Sequence, residues 1–511
     1  MTNKKISINE IVNWLRQVAP DAQLCSNSAK IITGDVFFAA RTHHGDGRQY
    51  IADAVARGAV AIVYDAADDD TFVWDEQISV PHFSVPDLSP QLGLIANEWY
   101  HNPDRSMFSV AVTGTNGKTS CSQWLAKALS MEKCDTAVIG TLGTGVYRNG
   151  VLRQLSETGF TTPDAISLQR TLSEMQKNGA EALAIEASSI GLDQGRLNGL
   201  HIDVALFTNL TRDHLDYHGD MDAYAAAKQI LFDWNGLTTA VINLDDGFGM
   251  HLLSHLQQTR PDINLMAYSL EKTAYEGASL LSASHLKTTH AGTSFHLESP
   301  FGSALVKTQL IGRFNVSNIL GVLAVLLSKG IPLLKAVALI EKLPPVPGRM
   351  QLAGTAGHVM VVIDYAHTPD ALEKTLEALR LVADERGGQL WCVFGCGGDR
   401  DPGKRPQMGR ISEQADHVIV TSDNPRSEDP ALIIGQIVAG MSTTPHVIED
   451  RANAILYAIK HAADQDVVLL AGKGHEAYQD INGKKWPFSD EEHAALALAT
   501  VATSGNMKRG S

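Results

Sequence analysis

Residues 112–119 read Val112-Thr113-Gly114-Thr115-Asn116-Gly117-Lys118-Thr119, an apolar stretch passing through a glycine-bearing turn into a helical pattern. Glycines 114 and 117 let backbone N–H groups curl around phosphate oxygens at a helix N-terminus. In that reading Lys118 places a charge on the β- and γ-phosphates, and the Thr119 hydroxyl reaches Mg2+, with Ser120 next in line. The usual G-x-x-x-x-G-K-[ST] template has glycine where this chain has Val112. The bland alternative is a strand-to-helix turn with an exposed lysine.

Two further groups of side chains are chemically suggestive. Glu186 closes an apolar run beside Ser188 and Ser189, and the stretch 209–232 offers Asp213, His214, His218 and Lys228. A carboxylate and an imidazole at adjacent strand ends suit Mg2+ held between ATP and a second anion. Glu186 reads equally well as a helix N-terminal charge, His214 as a hydrogen-bonded turn histidine and Lys228 as a surface helix lysine. The second group lies in three loops, 394–406, 421–430 and 471–479, which carry Arg400, Asp423, Asn424, Arg426, Lys473 and Glu476. Arginines hold a carboxylate and acids hold an ammonium, so this mixture suits a zwitterionic amino acid. An Asx turn before a helix, with Arg426 solvated, explains Asp423-Asn424-Pro425-Arg426 as well.

These residues need elements to position them. SVAVTG, ALAIEAS, DVALFTNL and TAVINLDD are strand-like runs with helical patterns between, which argues for a parallel sheet covered by helices. After Pro-rich LPPVPGRM (343–350) the pattern restarts with HVMVVIDYAH, QLWCVFGCGG, HVIVTSDNP and DVVLLAGKGH. Nearly every strand ends in polar or charged residues, and open α/β sheets bind ligands outside those carboxyl ends. The expected fold is α/β in three domains: a smaller α/β domain over 1–105, a P-loop-type parallel-sheet ATPase domain over 106–345 and a Rossmann-like domain over 346–503. His101-Asn102-Pro103-Asp104 reads as a linker or turn and 504–511 as a disordered tail.

Length and composition set the class. At 511 residues the chain exceeds one core, and 44% hydrophobic with 19% charged residues is ordinary for a globular enzyme. A net charge of −15 disfavours nucleic acid as a partner. Cys25, Cys121, Cys134, Cys392 and Cys396 show no metal-ligand spacing, so reduced thiols in the cytoplasm are expected. Neither a signal peptide nor a membrane span is apparent, so membrane insertion is not expected.

Here the motifs acquire a resemblance. T-G-T-N-G-K-T resembles the nucleotide loop of the Mur ligases and folylpolyglutamate synthetases, in which position 112 is not glycine. NLTRDHLDYHG (209–219) is similar to the signature of Mur ligases that extend the peptidoglycan stem peptide. The resemblance implies that Glu186 and His214 contact magnesium, two ions being expected, and that Lys228 is carbamylated. A carbamate offers anionic oxygens to Mg2+, whereas an ammonium repels it. It also implies that Ser28, His43, His44, Gly45, Thr161, Thr162, Ser188, Gln194 and Arg196 hold a UDP-muramoyl-dipeptide. Asn315, Asp364 and His367 are implied at the nucleotide, with Arg349 at the matching G-R left outside the expected set. Asn315 otherwise reads as a helix N-cap and Asp364 as a turn residue. The D-N-P-R form resembles members that add meso-diaminopimelate, which implies a pocket of Arg400, Asp423, Asn424, Pro425, Arg426, Gly472 and Glu476.

The implied activity is ATP-dependent amide-bond formation by a monomer, through an acyl phosphate on UDP-MurNAc-L-Ala-D-Glu that the diaminopimelate amine attacks. Arg426 would bind the distal carboxylate; lysine would leave that arginine unpaired. The alternatives are a lysine-adding relative, a folylpolyglutamate synthetase and a P-loop ATPase that regulates a protein partner. Three positions depart from the family pattern: Ile190 replaces a histidine, Ala29 an arginine, and Phe160 an asparagine found in some members.

Overall fold

The structure is a computed structural model that describes residues 6–42, 45–66, 72–156, 159–353 and 359–509. Its chain forms two compact units: Met1–Thr113, Leu129–Ala205 and Ala227–Thr238 in one, and Gly114–Ala128, Leu206–Ala226 and Thr239–Ser511 in the other.

The first unit begins with helix α1 (Ile8–Val18), whose start is fixed by a capping box between Ser7 and Glu10. A parallel four-stranded sheet follows, in the order β1 (Leu24–Cys25), β2 (Val36–Ala39), β3 (Ala61–Asp65), β4 (His82–Val85). Alternate residues serve opposite faces, as strand geometry requires. Phe38 and Val63 pack with Ile11 and Leu15, while Phe37 and Ile62 pack with Ile51 and Ala54. After helix α2 (Leu92–Trp99) comes the expected linker, which is a turn anchored in the core. Asn102 is left-handed (φ +53), and fully buried Asp104 accepts from Asn97 Nδ2 at 2.7 Å and from the His201 N–H.

The same unit holds β5 (Phe108–Thr113), β6 (Thr136–Gly140), β7 (Gly143–Arg148), β8 (Val151–Ser156) and β9 (Ala182–Glu186). They run in the order β8-β7-β6-β9-β5, followed by β10 (Val204–Phe207). The strands β6, β9 and β5 are mutually parallel, whereas β7 and β8 form an antiparallel meander. Helix α3 (Lys118–Met131) follows β5, and α4 (Ala165–Lys177) precedes β9. Helix α5 (Met221–Gln229) leads towards the next strand.

In the second unit β11 (Thr239–Asn243), β12 (Asn264–Ser269) and β13 (Ser279–Thr289) pair in parallel. β14 (Gly292–Ser299) and β15 (Gly302–Thr308) then add antiparallel strands. The fully parallel expectation therefore holds for the inner strands and fails at the margins, where polar residues alternate along the chain. Helix α6 (Arg313–Ser328) is buried along nearly its whole length.

The last sheet has the order β16 (Gln351–Ala353), β17 (Met360–Asp364), β21 (Val467–Ala471), β18 (Leu390–Phe394), β19 (His417–Val420), β20 (His446–Val447), and is parallel except at β16. Both faces are covered, so its strands read as continuous apolar runs. Val362, Cys392 and Leu469 pack with α7 (Pro369–Arg386) and α8 (Lys404–Ser412). Val361, Val393 and Leu470 face α9 (Arg451–His461) and α10 (Asp490–Arg509). Helix α10 runs through 504–509, residues expected from composition to be a disordered tail. A hairpin of β22 (Tyr478–Ile481) and β23 (Lys484–Pro487) follows β21. No described helix is long and apolar enough to cross a membrane.

Candidate active site

The phosphate loop follows β5 and opens α3, as its sequence predicts. Gly114 (φ +146) and Gly117 (φ +90) adopt conformations other residues rarely take. Their hydrogens also make room, because a Cβ would strike Thr208 Oγ1 at 114 and Asn318 Oδ1 at 117. Lys118 Nζ lies inside the curl, donating to Gly114 O at 2.8 Å and Thr115 O at 2.9 Å. The helix ladder starts with Cys121 N–H on Gly117 O, so the amides of Lys118, Thr119 and Ser120 stand at the helix's open end. The loop is fastened to the segment after β10. Thr208 Oγ1 donates to Asn116 O at 2.6 Å, Asn209 Oδ1 accepts from Asn116 N–H at 2.9 Å, and Thr115 Oγ1 meets Thr211 O and Tyr224 OH at 3.1 Å each.

A charged group lies in the same unit. His214 is left-handed (φ +55) and caps the short helix Leu215–His218, with Nε2 3.5 Å from Asp213 Oδ2. His367 Nε2 approaches the same oxygen at 3.8 Å, and its Nδ1 faces Tyr365 O at 2.8 Å. Lys404 Nζ donates to His367 O at 2.9 Å. Burial pushes the Asp213 carboxyl up, but His214, His367 and Lys404 outweigh it and hold the group at about 2. His367 is pushed down to about 4, first by burial and then by Lys404, so at neutral pH it is an uncharged imidazole. Asn315 is not an N-cap, since Gly312 holds that position. Its Nδ2 donates back to Ile311 O at 2.8 Å, just before α6. Asp364 is buried at the end of β17, where it accepts from Met350 N–H at 2.7 Å. Arg349, left outside the expected set, donates through Nη2 to Thr119 Oγ1 at 3.2 Å. Its G-R dipeptide is the only signal in the sequence.

The first unit supplies the other acidic centre. Glu186 ends β9 with no exposure and is not a helix cap; Ser188 caps the following turn of helix. Thr141 holds both carboxylate oxygens, its N–H donating to Oε1 at 2.8 Å and its hydroxyl to Oε2 at 3.0 Å. Thr141 Oγ1 also meets Thr161 Oγ1 at 3.0 Å. Neighbouring Thr162 donates to Glu186 O at 2.8 Å and pairs with Ser188 Oγ at 2.9 Å. Arg196 Nη1 donates to Thr162 O at 2.9 Å, and its Nε donates to Gln194 Oε1 at 2.9 Å. Five residues expected at the UDP-sugar thus join into one hydrogen-bonded chain touching Glu186, and none of them is a freely solvated loop side chain. Exposed Phe160 lies under Arg196 at 5.5 Å, a cation–π contact where some relatives carry asparagine. Lys228 on α5 is only 1% exposed, which overturns its reading as a surface lysine. Ser28, also buried, bonds the Asp53 carboxylate and holds it below its ordinary range. Gly45 is exposed in a short strand, and His43 and His44 lie outside the described residues.

The three loops of the last sheet converge as expected. Asn424 Nδ2 donates to Glu476 Oε2 at 2.7 Å, and Lys473 Nζ donates to Asn424 Oδ1 at 3.0 Å. Asp423 is buried, and burial raises its carboxyl despite Lys473 and Arg451. Gly472 (φ +111) is required beside it, because a Cβ would run into Asp423 Oδ2. Arg426 is half-buried rather than freely solvated, and it is not part of a helix start. It is left-handed (φ +51), and its Nη1 donates to Gly398 O at 2.6 Å, next to buried Pro425. Arg400 is exposed, donating to Asp399 O at 3.1 Å.

Among the described residues no three His, Cys, Asp or Glu side chains cluster as a metal cage. Mg2+ that arrives with phosphates takes only one or two protein oxygens. The Glu186 carboxylate and the Thr119 hydroxyl are such donors; an unmodified Lys228 ammonium is not.

Three family descriptions match the chain: Mur ligase family, catalytic domain over residues 23–100, Mur ligase middle domain over 112–326, and Mur ligase, glutamate ligase domain over 348–474. It is 57% identical to the UDP-N-acetylmuramoyl-L-alanyl-D-glutamate--2,6-diaminopimelate ligase of Janthinobacterium sp. (strain Marseille), over 98% of both chains. Identity to the ligase of the same name from Ralstonia nicotianae is 50%, over 96% of this chain and 95% of that one. A solved structure of a UDP-N-acetylmuramoyl-L-alanyl-D-glutamate--2,6-diaminopimelate ligase is 36% identical with a TM-score of 0.66, over 95% of this chain and 98% of that one. With likeness of this extent over nearly the whole chain, it belongs to the Mur ligase family.

Proposed function

We propose that the protein is the ATP-dependent ligase that adds meso-2,6-diaminopimelate to UDP-N-acetylmuramoyl-L-alanyl-D-glutamate during peptidoglycan precursor synthesis. The observation that carries this reading is a near-full-length likeness of 57% to a ligase of that name, in a chain with D-N-P-R intact. Residues 1–105 and the Thr161–Arg196 group take the UDP-sugar dipeptide, 106–345 binds ATP, and 346–503 binds the amino acid.

ATP phosphorylates the terminal carboxylate of the dipeptide to an acyl phosphate, releasing ADP. The neutral amine of diaminopimelate attacks that carbonyl, and phosphate leaves from the tetrahedral adduct with loss of the amine proton. The main obstacle is bringing one anion to another. Lys118 and Arg349 place positive charge at the loop, while Arg196 orients a substrate anion through its planar fork of donors. Mg2+ would screen the phosphate charges, with Thr119 as a donor at the phosphate loop; Glu186, His214 and Lys228 as its carbamate are the further donors that the family resemblance implies. Neither step requires a protein nucleophile. Arg426 receives the distal carboxylate of the diamino acid, and Asp423 and Glu476 its ammonium. The five cysteines are all free, which suits a reducing cytoplasm.

The test is phosphate release with UDP-muramoyl-dipeptide, comparing meso-diaminopimelate with L-lysine. Release should require both the dipeptide and the diamino acid, and lysine should be at least on the order of 100-fold poorer, because it lacks the distal carboxylate that the half-buried Arg426 would pair with. Equal rates would remove the role of Arg426, and release without either acceptor would indicate a switch-type ATPase.

A further inference from the structure

Lys473 has no exposure at all, yet it stands among the residues assigned to the amino acid. Its Nζ lies 3.0 Å from Asn424 Oδ1 and 3.3 Å from Glu476 Oε2, with the Tyr478 ring 5.7 Å away. The turn that places it there needs Gly472 (φ +111) and Gly474 (φ +54) on either side. Burying an ammonium is costly unless charge and hydrogen bonds compensate, so this side chain is held for what it orders.

What it orders follows from the hydrogen-bond inventory. Asn424 Oδ1 accepts twice, from Lys473 and from Asp480 N–H at 3.0 Å. The amide orientation is therefore fixed, and Nδ2 gives one hydrogen to Glu476 Oε2 at 2.7 Å while the other meets no partner among the described residues. Glu476 Oε2 is taken by Asn424 and Lys473, whereas Oε1 has only the long Tyr365 hydroxyl contact at 3.5 Å among the described residues. One donor and one anionic oxygen remain to meet a zwitterion.

We propose that Lys473 is a positioning residue for the amino-acid substrate. Its ammonium locks the Asn424 amide and the Glu476 carboxylate into the arrangement that presents one N–H and one carboxylate oxygen together. This rests on the amino-acid pocket proposed above.

The experiment uses the full chain with Lys473→Met, which keeps length and removes charge, and Lys473→Gln, which restores an uncharged donor. KM for meso-diaminopimelate should rise on the order of 10- to 100-fold in Lys473→Met, as for loss of a hydrogen bond to a charged group. KM for ATP and for the UDP-dipeptide should stay within about twofold, with Lys473→Gln intermediate. A parallel rise in all three KM values, or a fall in thermal stability with no selective rise, would overturn the proposal in favour of a purely structural lysine. Asn424→Ala and Arg426→Ala separate the two layers. If neither raises KM for diaminopimelate, the pocket assignment fails; if both do and Lys473→Met does not, the positioning role fails.

Discussion

Replacing Thr141 by valine tests how the acidic centre is built. Valine has the same shape, so the change keeps the backbone N–H on Glu186 Oε1 and removes only the hydroxyl on Oε2 at 3.0 Å. Because Glu186 has no exposure, water does not replace that donor. A hydrogen bond to a charged group contributes about 1.5–3 kcal/mol. Expressed wholly in metal binding, that is on the order of a 10- to 100-fold rise in the Mg2+ concentration for half-maximal rate, the range typical of outer partners of metal ligands. The same hydroxyl meets Thr161, so KM for the UDP-dipeptide should rise as well, while KM for diaminopimelate should not. Phosphate release titrated with Mg2+ at saturating substrates reads the first effect. An unchanged Mg2+ curve in a stable Thr141→Val protein would refute Glu186 as a metal ligand oriented by Thr141.

Two further outcomes concern stability. Arg451 and Asp490 form an ion pair with neither side chain exposed, joining α9 to the start of α10. Asp490→Asn strands a buried guanidinium and should destabilise the protein by about 3–5 kcal/mol in denaturant unfolding, whereas a loss under about 1 kcal/mol would refute the pairing. His475 is pushed down to about 4, mainly by burial and secondarily by Arg349. Its folded value lies below the ordinary histidine value of about 6.5, so its stability contribution is complete above that pH and is lost as pH falls towards 4. His475→Gln should therefore flatten the decline of Tm between about pH 7 and pH 4.5 relative to the parent, and an unchanged slope would contradict the burial argument.

The inner strands are legible in the sequence because burial on both faces makes them continuous apolar runs, as in Ala182–Glu186 and Val467–Ala471. Strands β13 to β15 are not, because half their residues face solvent and their alternation carries no chemistry-bearing end. The phosphate loop is readable since its glycines and lysine are a local pattern. Thr141 is invisible: it follows a strand with no motif, and its role arises only when β6 and β9 lie side by side. Lys228 misleads for a related reason, as an alanine-rich helix with one lysine reads as a wet surface until the fold covers it. Arg349 is visible as a residue but not as a neighbour of the phosphate loop, since Thr119 is 230 positions away.

The proline-rich stretch before β16 marks a boundary in the sequence and yet ties both sides together. Trp124 Nε1 donates to Pro344 O at 3.0 Å, and Arg349 reaches Thr119. A truncated chain ending at residue 343 would strip α3 of both partners, exposing an indole donor and removing a cation from the phosphate loop. Anyone dissecting this enzyme into pieces should place the cut beyond Arg349, where the nucleotide half keeps the side chains that complete it.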